Sequence, residues 1–166
     1  MEEITISKAQ ELASPNPFAL VCAKERSGGT NMAAISWWTF ISNSPPTLAF
    51  CAKHGRYTGQ CAAESGAFAL CLPGEAMKEK AFLCGTVSGQ KVNKAEEFDI
   101  ELFPCRKDGL RAVRQSRLVF VCELSQIVPL GDHDLYIGKI EKVLCDPTQK
   151  QLYAFDGYKR LDTVKQ

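Results

Sequence analysis

Residues 31–58 read NMAAISWWTFISNSPPTLAFCAKHGRYT. This stretch contains both tryptophans of the chain, several hydroxyl and amide side chains, and a Lys/Arg/Thr group near its end. A flat aromatic ligand needs hydrogen bonds along its polar edge, and a phosphate needs cationic donors. The stretch therefore predicts a binding site with a ring end at residues 31–39 and a phosphate end at residues 53–58.

The composition around this stretch is that of one globular domain. With 166 residues, 45% hydrophobic and 23% charged, the chain can bury a substantial core. A formal net charge of +1 provides no general attraction to nucleic acid or to a membrane surface. The sequence lacks the pattern of a transmembrane helix or of a signal peptide. We therefore expect one domain, residues 1–166, in the cytoplasm, with neither nucleic acid nor membrane as a partner.

The eight cysteines are spread along the chain without a CxxC motif or a Cys/His pair at zinc-ligand spacing. Most lie in apolar runs, for example at 19–23, 48–52 and 118–122, where a thiol packs as a small hydrophobic group. Reduced structural thiols are therefore the favoured interpretation, and no metal site is expected. One reactive cysteine among the eight stays compatible with the sequence.

Short apolar segments separated by turn residues predict a mainly β chain. The expected strands are 18–24, 30–37, 47–53, 67–72, 118–127 and 135–144. The expected helices are 6–13, 57–64 and 75–82, with Gly66 placed to end the second one. A polar, glycine-rich loop is expected at 85–94. Many strands with few helices favour a β-barrel or sandwich with α-helical decoration.

Seven motifs, read in chain order, resemble the flavin reductase-like family of the FMN-binding split-barrel superfamily. The motifs are NPFALV at 16–21, Asn31 with SW at 36–37, Ser42 with PP at 45–46, RYT at 56–58, GAFAL at 66–70, SG with NK within 88–94, and GDH with IG within 131–138. The double tryptophan is most similar to the flavoredoxin-like branch. The resemblance implies a six-stranded barrel of Greek-key type, a homodimer, and one FMN per protomer near the dimer interface.

The resemblance also implies contacts to FMN at matching positions of this chain. Those along the ring and ribityl chain would be Asn31, Ser36, Trp37, Trp38, Thr39 and Ser42. Those at the ribityl and phosphate end would be Ala52, Lys53, Arg56, Tyr57 and Thr58, with Lys91 and Lys94 reaching in from the loop. His133 would be the catalytic residue at the flavin or nicotinamide edge, since histidine can donate a hydrogen bond or a proton near neutral pH.

These residues also have ordinary structural interpretations. Adjacent residues of a strand point to opposite faces, so at least one of Trp37 and Trp38 is expected in the core or at an interface. Thr58 could be only a helix N-cap, and Asn31 only a turn residue. The cationic side chains could be solvated surface charges, and His133 a turn histidine between two aspartates.

Two features depart from the family pattern. A basic cluster occurs where the family has a neutral segment: Arg106, Lys107, Arg111, Arg114 and Arg117. Arg111, Arg114 and Arg117 recur at a spacing of three, which would place them on one face if the segment is helical. Such a face would be a solvated surface, or a docking site for an acidic redox partner or a nucleotide phosphate. Lys139 stands where the family tends to carry Glu, so a carboxylate role there is doubtful.

Together these features predict an FMN-binding oxidoreductase in which the flavin carries the electrons. No dinucleotide-binding GxGxxG motif is present, so NAD(P)H is expected only as a transient donor over the flavin face. One version is an NAD(P)H:flavin reductase that releases reduced FMN, and the other is a flavoredoxin-like carrier served by a redox protein partner. The alternatives are a non-catalytic split-barrel protein that binds flavin or another small ligand and, less favoured, a thiol- or metal-based protein.

Overall fold

The structure is a computed structural model that describes residues 1–164. Its helices are α1 (Ile6–Leu12), α2 (Tyr57–Ser65), α3 (Lys78–Leu83, entered through a 3₁₀ turn at Glu75–Met77) and α4 (Lys94–Glu97). Its strands are β1 (Asn16–Pro17), β2 (Ala19–Lys24), β3 (Thr30–Ile35), β4 (Trp38–Asn43), β5 (Pro46–Lys53), β6 (Ala67–Pro73), β7 (Leu102–Pro104), β8 (Arg111–Val113), β9 (Ser116–Leu130), β10 (His133–Cys145), β11 (Tyr153–Phe155) and β12 (Arg160–Asp162).

Seven antiparallel strands form the main sheet, in the order β3-β2-β6-β9-β10-β5-β4. The long β9–β10 hairpin lies at its centre. Strands that are distant in sequence are neighbours, such as β2 with β6 and β5 with β10, as Greek-key connections produce. Strands β1, β11 and β12 form a second sheet, and β7 pairs with β8. Within residues 1–164, no helix has the length and apolar character needed to cross a membrane.

Both faces of β2 and β6 are buried, and this explains their nearly uninterrupted apolar sequences. Along β2 and β6, alternate side chains enter two separate cores. One core is lined by Val21, Leu48, Phe50, Phe68, Leu70 and Tyr136. The other packs under α3 and the C-terminal strands and includes Leu20, Met32, Met77, Leu152 and Leu161.

The expected mainly β chain and its principal strands are confirmed, with some corrections. The main sheet has seven strands and not six, because residues 38–43 form the edge strand β4, which was not predicted. Helix α2 ends at Gly66, as expected, and that residue takes the left-handed conformation with φ of 68°. The β9–β10 hairpin is longer than predicted at both ends.

The helical interpretation of the basic cluster is wrong. Arg111 lies on β8, Arg117 lies on β9, and Arg114 lies in the bend between these strands. The guanidinium groups of Arg111 and Arg117 donate to backbone carbonyls. Arg114 pairs with Glu101, and Arg106 with two carboxylates. These side chains therefore connect loops and strands and do not form one helical face.

Candidate functional site

A cavity of about 370 Å³ lies beside β3, the end of β5 and the start of α2. This volume is within the range of small-molecule sites. Residues 84–89, between α3 and α4, form another wall, and the first residue of β10 reaches the same space. Ten of the residues expected at the site line this cavity: Asn31, Ser36, Trp37, Ala52, Lys53, Arg56, Tyr57, Thr58, Lys94 and His133.

Four expected contact residues do not line the cavity. Trp38 belongs to β4, the edge strand outside β5, and its Nε1 donates to the Pro17 carbonyl at 3.1 Å. Thr39 and Ser42 follow it along the same strand. Lys91 is exposed in the loop before α4. The strand break at residues 36–37 separates Trp37 at the cavity from Trp38 on β4.

The N-terminus of α2 lies at the end of the cavity where the sequence predicts a phosphate. Arg56 is the N-cap residue in an extended conformation, and its own side chain does not cap the helix. The N–H groups of a first helical turn have no intrahelical acceptors, and the helix dipole is positive there. The exposed side chains of Arg56 and Lys53 form no ion pair with any residue in 1–164. This arrangement suits an anion.

A buried polar pair joins the two ends of the cavity. The Nδ2 of Asn31 donates to the Oγ1 of Thr58 at 2.5 Å, and these residues are only 3% and 5% exposed. Within residues 1–164, the Oδ1 of Asn31 has no hydrogen-bond partner. A buried acceptor without a donor is costly, so this oxygen is suited to accept an N–H or O–H group from a ligand or a water molecule.

The aromatic end of the cavity is formed by Trp37 and His133. Their ring centroids lie 5.0 Å apart at an interplanar angle of 36°. The Trp37 carbonyl accepts from the backbone N–H of Cys51 at 2.9 Å, which ties residue 37 to β5. The Nδ1 of His133 lies 2.8 Å from Oδ1 of Asp132. Trp37 is 46% exposed, so an indole face remains available at the cavity mouth.

Lys94 is the buried cation of the cavity, with 5% exposure at the start of α4. Its Nζ donates to the carbonyls of Met32 at 2.8 Å and Cys84 at 2.7 Å. Burial lowers the pKa of Lys94, and the nearby charge of Arg56 lowers it further. The ammonium group therefore anchors α4 against β3 and leaves one N–H for the cavity.

Several residues that line the cavity were not predicted from the sequence as site residues. Cys51, Cys84 and Tyr158 line the cavity, and Tyr158 lies beyond the last of the seven motifs, which ends at residue 138. Burial raises the pKa of Cys84 to about 11 and that of Tyr57 to about 12. Burial also raises the pKa of Cys51. These groups are neutral near pH 7, so neither thiol has the thiolate character of a nucleophile.

Residues 12–162 match the family model of the flavin reductase like domain. The chain belongs to this family. The NADH-dependent flavin reductase StyB of Pseudomonas fluorescens is 28% identical over 123 residues, which are 74% of this chain and 67% of StyB. An uncharacterized protein of Archaeoglobus fulgidus is 29% identical over 110 residues, which are 66% of this chain and 62% of that protein. The matches to this and two other archaeal relatives span only 55–63% of those proteins.

The fold is also similar to that of solved structures. Flavoredoxin of Desulfovibrio vulgaris (Miyazaki F) superimposes with a TM-score of 0.87 at 21% identity, covering 100% of this chain and 94% of flavoredoxin. At that identity the likeness concerns the fold. The family prediction made from the seven motifs is thus confirmed. The split-barrel architecture is confirmed as well, because a Shewanella frigidimarina structure with a split barrel domain superimposes with a TM-score of 0.86 at 16% identity, covering 96% of this chain and 87% of that one.

Proposed function

We propose that this chain is a single flavin reductase-like domain that binds FMN in the cavity and passes electrons through it. The donor would be NAD(P)H or a redox protein, and the acceptor a second substrate or protein. The observation that carries the proposal is the arrangement of one cavity. The N-terminus of α2, with Arg56, lies at one end of it, and the aromatic pair Trp37 and His133 lies at the other end. A buried amide oxygen without a partner lies between these ends.

The phosphate end fits the phosphomonoester of FMN in charge and in donor geometry. Arg56 and Lys53 supply cationic donors without having to give up an ion pair within residues 1–164. The first turn of α2 supplies backbone N–H groups, and Thr58 supplies a hydroxyl. Charge-assisted hydrogen bonds are about twice as strong as neutral ones, so Arg56 is expected to contribute most to the preference for a phosphorylated flavin.

The ring end fits a flat heteroaromatic group with a polar edge. Trp37 offers an aromatic face, and His133 offers a ring nitrogen beside it. Asn31 offers an acceptor whose position is fixed by the bond from its amide nitrogen to Thr58. When bound, FMN supplies the hydride and electron chemistry, which the neutral thiols and phenol of the wall do not provide. The side chains orient the ring and keep water from its buried edge.

A cytoplasmic homodimer is part of the proposal. Large apolar side chains are exposed on β4 and near the end of the β9–β10 hairpin: Phe40, Ile41, Ile127 and Leu130. Because β4 is the edge strand of the main sheet, its exposed apolar side chains and unpaired backbone groups suit a surface that another protein covers. Sedimentation of the purified protein as a monomer at micromolar concentration would remove this part of the proposal.

The test of flavin binding compares FMN with riboflavin, which lacks the phosphate. The purified protein should bind FMN and show visible flavin bands, and Arg56→Ala should weaken FMN binding by about tenfold while leaving riboflavin binding unchanged. Lys150→Ala removes the same charge from an exposed position outside the cavity and serves as the control. A protein that stays colourless after addition of FMN would refute the proposal.

A second measurement separates a reductase from a carrier. The FMN-loaded protein is mixed anaerobically with NADH or NADPH, and bleaching of the flavin absorbance is followed by stopped flow. Rapid bleaching identifies a nicotinamide-dependent reductase. A loaded protein that reacts poorly with both nucleotides, but is reduced by a redox protein, is a carrier of the flavoredoxin type.

A further inference from the structure

The second histidine of the chain, His54, lies in the turn between β5 and α2 and contacts the opposite turn of the sheet. Its backbone N–H donates to the carbonyl of Asp132 at 3.2 Å. Its ring Nε2 lies 2.9 Å from the carbonyl oxygen of Gly131, and its Nδ1 lies 3.0 Å from Oδ1 of Asp134. These contacts hold the residues on both sides of His133.

The two ring contacts, here called the His54 bridge, require a protonated ring. A backbone carbonyl and a carboxylate only accept hydrogen bonds, so each ring nitrogen must carry a proton. A neutral imidazole has a single N–H and satisfies only one of the two acceptors. The hydrogen bond to Asp134 raises the pKa of His54, the bond to Gly131 adds to this, and partial burial opposes both. The geometry and the electrostatics therefore agree.

The charges around His54 come from two segments. Lys53 and Arg56 flank it on its own side, at the end of β5 and the start of α2. Asp132, His133 and Asp134 face it from the hairpin turn and from β10, and the two carboxylates raise its pKa. A group with a raised pKa is fully charged below its ordinary value of about 6.5 and loses its charge as the pH rises through the folded-state pKa. The bridge is therefore complete at low pH and incomplete at high pH.

The bridge matters because the segment it holds reaches the cavity. His133 pairs with Lys53 in the register of β10 with β5, lines the cavity, and lies against Trp37. We propose that His54 is a pH-dependent positioning residue of the cavity. As an imidazolium it fixes the β9–β10 turn against the end of β5 and keeps His133 beside Trp37. As a neutral imidazole it releases one of its two acceptors, and the turn relaxes.

The first test is independent of flavin. The chain has two histidines, so their ring nitrogens can both be followed by NMR in the ligand-free protein from about pH 5 to pH 9. His54 should be mostly doubly protonated at pH 6.5, and Asp134→Asn should lower its pKa. The His133 signals should shift as His54 titrates, and this transition should vanish in His54→Gln. A neutral His54 ring at pH 6.5, or a His133 signal that ignores His54, would overturn the proposal.

The second test rests on the proposed function and measures FMN affinity by flavin fluorescence. Wild type should bind FMN about threefold more tightly than His54→Gln at low pH, and the difference should disappear above the pKa of His54. The ratio of the two proteins at each pH cancels the titration of the FMN phosphate. A constant ratio, with the NMR result as expected, would show a bridge without a positioning role and would refute the inference. If no protein binds FMN, the proposed function fails, while the NMR result still decides whether the bridge exists.

Discussion

The bond between Asn31 and Thr58 can be tested by removing the hydroxyl alone. Thr58→Val keeps the shape of the side chain but leaves the Nδ2 of Asn31 without its acceptor at a site that is 3% exposed. Because Oδ1 of Asn31 already lacks a partner within residues 1–164, the amide would then have none at either atom. Leaving a buried donor unsatisfied costs about 1–3 kcal/mol. For a chain of this size, each kcal/mol lowers Tm by about 2–4 °C.

Urea denaturation of four proteins measures this cost: wild type, Thr58→Val, Asn31→Ala and the double variant. In the Asn31→Ala background the hydroxyl has no amide to satisfy, so Thr58→Val should cost less than about 0.5 kcal/mol, giving a coupling energy of about 1 kcal/mol or more. Thr39→Val, on the exposed part of β4, is the control and should change stability little. An equal cost of Thr58→Val in both backgrounds would refute the reasoning.

Three further outcomes are expected. Trp37→Ala should weaken FMN binding, measured by flavin titration, with little change in the free energy of unfolding. Trp38→Ala should lower the free energy of unfolding, measured by denaturation, by about 2 kcal/mol or more. The affinity of the folded Trp38→Ala protein for FMN should stay nearly unchanged. Gly138→Ala should destabilise the protein by about 1–3 kcal/mol, because its Cβ would clash with the buried ring of Phe68. Equal urea midpoints for variant and wild type would contradict this. Lys159→Ala should destabilise the protein at pH 7 but not at about pH 2.5. The hydrogen bond from Lys159 lowers the pKa of the Glu11 carboxyl group. A carboxyl group with a lowered pKa contributes stability that is lost as the pH falls through that pKa.

The strands that could be predicted from the sequence are those whose pattern is local. Segments 18–23 and 67–72 are apolar throughout, and the structure buries both of their faces between two cores. The edge strand β4 was missed because most of its residues are exposed, including Phe40 and Ile41, and it shows neither a buried run nor regular alternation. The pairing of β10 with β5 joins residues 80 to 92 positions apart, from His133 with Lys53 to Lys139 with Thr47. A single sequence contains no local signal for that register.

The same distinction applies to the site. The phosphate end could be predicted because Lys53, Arg56 and Thr58 lie within six residues, where a strand ends and a helix begins. For the two tryptophans, strand alternation indicates that one faces away, but the break after Ile35 decides which one, and that break has no proline or glycine to announce it.

His54 shows most clearly what the sequence lacks. Its own neighbours, Lys53 and Gly55, indicate only an exposed turn, and nearly half of its side chain is indeed exposed. Its partners Gly131 and Asp134 lie 77 and 80 positions away and meet it only because β10 begins opposite the end of β5. The requirement for two ring protons follows from the contact of the His54 ring with these two acceptors, and the sequence of residues 50–58 does not indicate it. A protonation state that depends on tertiary structure can therefore be inferred only after the register of the sheet is known.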